Sequence, residues 1–128
     1  MDETFNLTIK EKYARTWGKD DQTQRKIIRK LLADQNGDEW QKLMQLLEKS
    51  IDSDKSNVEI CFTFRLHESE KKLDIDNMCK IYIDAIYEDL VQKGKRWPDH
   101  LIRRLTAEKF IDNQEDQDII EITIQLSN

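Results

Sequence analysis

One run of residues limits the possible folds more than any other. From Val58 to Leu66 the apolar residues Val58, Ile60, Phe62, Phe64 and Leu66 take every second position, with Glu59, Thr63 and Arg65 among those between them. Successive side chains of a strand point to opposite faces, so this run reads as a strand with one buried face. A charged loop, His67 to Lys72, follows. The period then changes. Met78, Ile81, Tyr82, Ala85 and Ile86 recur three and four residues apart, which predicts a helix from about Asn77 to Gln92. Lys93 and Gly94 supply a cation and a glycine at its predicted end.

The rest of the chain divides by the same rules. Phe5 to Ile9 alternates and predicts a short first strand, and the polar stretch Lys10 to Lys19 reads as a loop. Asp20 and Asp21 precede Ile27, Ile28, Leu31 and Leu32 at helical spacing, until Gln35-Asn36-Gly37 interrupts the pattern. Asp38 can cap a second helix with Trp40, Leu43, Met44, Leu47 and Ile51 on its apolar face, and a turn-rich connection runs from Ile51 to Asn57. Leu101 to Phe110 is a strand of weaker alternation. Asp118 to Leu126 is the last strand, with Ile120, Ile122, Ile124 and Leu126 on one face. This order predicts an α/β (α+β) fold of one domain, a small mixed sheet of about four strands packed against helices. Residues 1–56 form a strand and helical segment, and residues 57–128 form a strand-helix-strand-strand core.

Composition excludes several classes. A chain of 128 residues can bury its own core. No apolar run approaches the length that crosses a bilayer, and the acidic start Met1-Asp2-Glu3-Thr4 lacks the pattern of a signal peptide. The expected location is cytoplasmic, with no membrane partner. Cys61 and Cys79 are too few for a disulfide framework, and with His67 and His100 they do not form a zinc pattern. A net charge of −5 argues against nucleic-acid binding by the surface as a whole and leaves room for a local patch. One such patch is Lys93, Lys95, Arg96, Arg103 and Arg104, with Trp97 among them. It reads either as a phosphate-contacting cluster or as a solvated loop.

The chemistry-bearing stretch is Lys72-Leu73-Asp74-Ile75-Asp76-Asn77-Met78-Cys79-Lys80, continuing to Asp84-Ala85. Asp76, Lys80 and Asp84 are four apart, so one helical stripe carries all three, and Asp74 lies just upstream. Carboxylates gathered this way are the ligands that hard cations such as Mg²⁺ take. The same residues also fit a helix cap at Asp76 followed by solvated ion pairs, and spacing taken alone favours that reading.

Taken together with the residues downstream, the motif resembles the RusA family of Holliday-junction resolvases, common in prophages. The resemblance rests on Asp74-x-Asp76-Asn77, Lys80, Asp84-Ala85, Asp99 and Lys109, and it covers the chain from about Val58 onward. Here Asp99 has Pro98 and His100 as neighbours where the family usually has a second Asp, and the family's proline-rich N-terminal segment is absent. The resemblance implies a small α/β homodimer that resolves four-way DNA junctions by Mg²⁺-dependent phosphodiester hydrolysis. Asp74, Asp76 and Asp99 would be the metal-binding acids, Lys80 the catalytic or phosphate-contacting lysine, and Asp84 and Asn77 supporting residues. Lys72, Lys93, Lys95, Arg96, Arg103, Arg104 and Lys109 would contact DNA. The alternative is a catalytically inactive relative that binds DNA or protein.

Overall fold

The computed structural model describes residues 3–18, 20–53, 58–67, 72–92, 101–111, 113–114 and 116–127. The elements are β1 (Glu3–Glu11), α1 (Asp21–Asn36), α2 (Asp38–Ser53), β2 (Val58–Arg65), α3 (Ile75–Gln92), β3 (Ile102–Phe110) and β4 (Asp118–Leu126). They form one α+β domain in which a four-stranded mixed sheet carries three helices, as the alternation of periods predicts. The sheet order is β1-β4-β2-β3. β4 runs antiparallel to both β1 and β2, while β2 and β3 are parallel neighbours joined across α3.

Register explains how the core is built. Phe5, Leu7 and Ile9 of β1 stand opposite Ile124, Ile122 and Ile120 of β4. These in turn face Ile60, Phe62 and Phe64 of β2. All nine are buried, so three strands present one continuous apolar face. α3 lies on that face. Its Met78, Ile81, Tyr82, Ala85 and Ile86 are almost fully buried, and the Tyr82 ring sits 6.4 Å from Phe62 and 6.0 Å from Phe64. Aromatic pairs at such distances contribute about 0.5–1.5 kcal/mol beyond the area they bury. α1 is tied to α3 by a buried carboxylate. Glu88 accepts from Arg29 at 2.7 Å and lies 3.4 Å from Arg25.

Gly37 alone separates α1 from α2. Its φ of 51° lies in the left-handed region, which glycine enters without the Cβ clash other residues suffer. The expected interruption at Gln35-Asn36-Gly37 is therefore this one residue, because α1 continues through Asn36.

The side chains of Gln35 and Asn36 have a task that periodicity does not reveal. Asn36 accepts from the Thr8 N–H (2.9 Å) and donates to the Thr8 carbonyl (3.1 Å). Gln35 makes the same pair with Lys10, at 2.8 and 2.9 Å. β1 is an edge strand, and these two amides occupy backbone groups that would otherwise invite pairing with another chain.

Several boundaries differ from expectation. β1 extends to Glu11, because the ladder with β4 continues to the Glu11–Asp118 pair. α2 runs through Ser53, inside the expected connection. α3 begins at Ile75, because the Met78 N–H already bonds the Asp74 carbonyl at 3.1 Å. Asp76 is thus in the first helical turn, and Asp74 is the residue before the helix. The weak alternation of β3 also has a cause. Its register against β2 shifts between Val58 and Glu59, so Val58 pairs with Ile102 and Glu59 with Arg104. The extra residue resets the phase and puts Ile102, Leu105, Ala107 and Lys109 on the helix side. Among the described residues no helix is long and apolar enough to cross a membrane.

Candidate functional site

β2 and α3 are joined by the loop that ends in Asp74, so the acidic motif lies where the chain turns onto the sheet. Asp76, Lys80 and Asp84 come together as their spacing requires. With Ile75, Cys79 and Ile83 they form the helical wall of a cleft of about 620 Å³, whose other wall is Ile102, Leu105 and Ala107 of β3. The cleft is thus charged along one stripe and apolar elsewhere. Asp74 and Asp76 are both exposed at the N-terminus of α3. There the helix dipole favours negative charge by about 0.3–1 kcal/mol per group.

Two long-range contacts position the motif. The Lys109 ammonium donates to the Leu73 carbonyl at 2.7 Å, holding the residue before Asp74. Lys109, expected to contact DNA, therefore braces the acidic loop from β3. On the other side the Trp17 N–H donates to the Asn77 carbonyl at 3.0 Å, so Asn77 supports the site through its backbone. The Lys80 ammonium lies 5.2 Å from the centre of the Trp17 ring.

The remaining described candidates do not line this cleft. Lys72 is exposed in the turn before the motif. Arg103 reaches Glu59 at 3.3 Å, and Arg104, opposite Glu59, belongs to the sheet face away from α3 and its cleft. Asp99, Lys93, Lys95 and Arg96 lie outside the described residues, as does the stop signal Lys93-Gly94. Among the described residues no three Asp, Glu, His or Cys side chains form a ligand set for a metal. The donor chemistry of Asp74 and Asp76, two exposed carboxylates beside a lysine, still suits Mg²⁺, which commonly takes one or two carboxylates and completes its shell with waters and phosphate.

Trp17 falls in a stretch that reads only as a polar loop, and the two acids that pin this loop, Glu11 and Asp118, are not among the sequence-predicted site residues. Residues 12–18 pass between β1 and α1 and are pinned by two buried carboxylates. Asp118 is fully buried. Its Oδ2 accepts from the Ala14 N–H at 2.8 Å and its Oδ1 from the His67 N–H at 3.0 Å. Glu11 accepts from Arg15 Nε at 2.7 Å and from the Tyr82 hydroxyl at 3.1 Å. The Tyr82 hydroxyl accepts in turn from the Arg15 N–H at 3.1 Å, and the Arg15 guanidinium also reaches Gln24. Burial raises the Glu11 carboxyl above its ordinary range, against the opposing pull of Arg15. Burial, together with the Glu11 charge, pushes the Tyr82 hydroxyl well above 10. A signal for both acids was present. Glu11 continues the inward phase of Phe5, Leu7 and Ile9, and Asp118 opens that of Ile120, Ile122 and Ile124.

Cys79 lines the cleft, but its surroundings disfavour the thiolate. Burial and the neighbouring Asp76 carboxylate push its thiol up to about 11, so the thiolate is scarce at neutral pH. At neutral pH iodoacetamide is expected to modify Cys61, which is exposed, and to reach Cys79 only after denaturation. Equal rates at both positions, measured by peptide mass spectrometry, would contradict this placement.

Comparison with models of known families and with curated proteins finds no match.

Proposed function

We propose that the chain is a Mg²⁺-dependent endonuclease that hydrolyses phosphodiester bonds in branched DNA, with four-way junctions as substrate. The observation that supports this best is the convergence of Asp76, Lys80 and Asp84 on one cleft, with Asp74 at the same helix end. Asp74 and Asp76 would hold the cation, with Asp99 the third acid by resemblance. When bound, Mg²⁺ supplies charge neutralisation at the phosphoryl group and a more acidic attacking water. The residues of the chain do the rest. Lys80, exposed and set against the Trp17 ring, stabilises the negative charge that grows on the phosphoryl oxygens. Asp84, one helical turn on and in the same cleft, would help to orient Lys80. Lys109 and Trp17 hold the motif in register with the cleft. A homodimer would offer two such sites to the two strands of a symmetric junction.

The test is cleavage of a synthetic four-way junction by the full chain with Mg²⁺ and with EDTA. Nicking that needs Mg²⁺ supports the proposal. Tight junction binding without nicking would support instead the catalytically inactive, DNA-binding reading.

Lys80→Met keeps the aliphatic stem and removes the charge. It is expected to lower the cleavage rate by about 10²–10³, the usual effect of losing one group that stabilises a transition-state charge. Stability should change by no more than about 1 kcal/mol, the scale of an exposed cation–π contact. A cleavage rate equal to that of the parent would remove Lys80 from the mechanism.

A further inference from the structure

Large aromatic side chains are usually covered, because burying one contributes about 1.5–3 kcal/mol. Two on the loop of residues 12–18 are not: Tyr13 is 54% exposed and Trp17 is 43% exposed. Neither sits on a loose backbone. The loop is held by the Ala14 N–H on buried Asp118, the Arg15 N–H on buried Tyr82 and the Trp17 N–H on the Asn77 carbonyl. Each ring also has a lysine ammonium against it, Lys12 at 5.4 Å from Tyr13 and Lys80 at 5.2 Å from Trp17. A rigid, exposed π-face paired with a cation is how proteins hold single-stranded nucleic acid, the ring taking a base and the cation its phosphate.

Trp17 is the better placed of the two, because Lys80 belongs both to its ring and to the acidic cleft. In a nucleotide the base and phosphate are joined through one sugar. A base resting on the indole therefore brings its flanking phosphate toward Lys80 and the carboxylates of α3. Bases inside an intact duplex are already stacked and cannot use this face, whereas bases at a branch point can. We infer that Trp17 is a stacking platform for one unpaired nucleobase beside the acidic cleft. This rests on the nuclease reading for its substrate, and it adds the means by which branched DNA is told from duplex.

The experiment measures affinity of the full chain in EDTA, so cleavage does not enter, for three probes: a four-way junction, a forked duplex with single-stranded arms, and a fully paired duplex. Trp17→Ala is expected to weaken fork and junction binding by roughly 5- to 150-fold, the effect of losing one base–aromatic stack, and to leave duplex binding unchanged. Trp17→Phe should retain most of the affinity, and Trp17→Leu, which keeps bulk but has no π-face, should not. With Trp40 and Trp97 replaced by Phe, indole fluorescence should be quenched by the fork and not by the duplex. Equal affinity of the Ala variant and the parent for the fork overturns the inference. So does a Leu variant that binds as the parent does, an equal loss on all three probes, or no binding of any probe. Trp17-dependent binding by a chain that never cleaves would sustain the stacking role and remove the nuclease reading, so the two failures are distinct.

Discussion

Asp76→Asn is expected to abolish Mg²⁺-dependent cleavage of four-way junctions while leaving junction binding intact. Several kcal/mol of transition-state stabilisation depend on a correctly held metal, and each 1.36 kcal/mol is a factor of ten, so the loss should reach about 10³-fold or more. The fold has little reason to respond. Asp76 is exposed in the first turn of α3, and Asn preserves its size. The lost favourable interaction with the helix dipole costs about 0.3–1 kcal/mol. Binding should hold or strengthen, because one negative charge leaves a surface that must accept phosphates. A second readout reports on the same carboxylate without DNA. After burial, its charge is the next cause that raises the Cys79 thiol, so the variant's thiol should titrate lower than the parent's. Residual cleavage near the parental rate, in a variant whose thiol does shift, would show that Asp76 lies beside Cys79 but does no catalytic work.

Asp118→Ala is expected to lower the unfolding free energy by about 3–5 kcal/mol, because it removes the acceptor of two backbone donors at once. Those donors belong to Ala14 and His67, far apart in sequence, and the carboxylate that joins them is fully buried. An acceptor lost from a buried N–H costs about 1–3 kcal/mol each time. Asp118→Asn should lie between parent and alanine variant, since its one oxygen can serve only one of the donors well and its amide nitrogen faces the other. Urea denaturation measures both. A loss below about 1 kcal/mol for alanine would mean that water replaces the carboxylate and that the loop of residues 12–18 is not anchored there.

Local pattern was enough for most of the architecture. The period-two runs around Phe62 and Ile122 and the helical stripe of Ile81 and Tyr82 each name an element and the face it buries. The four-residue spacing of Asp76, Lys80 and Asp84 likewise placed them together on one wall of the cleft. Such inferences succeed because side-chain direction follows from the backbone period alone. The same reasoning found β3 as a strand but could not assign which face each of its side chains takes. There a shift of one residue at Arg103 changes the phase, and it comes from pairing with β2, not from β3 itself. Nor did it find Gln35 and Asn36 as guards of the β1 edge, since both look like ordinary helix-terminal polar residues.

What the linear order settled, then, is the kind of each segment and the stripe of charge along α3, because both depend on residues a few positions apart. Folding in three dimensions settled the company that stripe keeps. Lys109 reaches back to Leu73, and Trp17 crosses to Asn77 and Lys80. Buried Asp118, near the end of the chain, fixes the loop that carries the indole near its beginning. No period links residues so distant. They meet because β4 enters the sheet between β1 and β2, which brings the two ends of the chain to the same core.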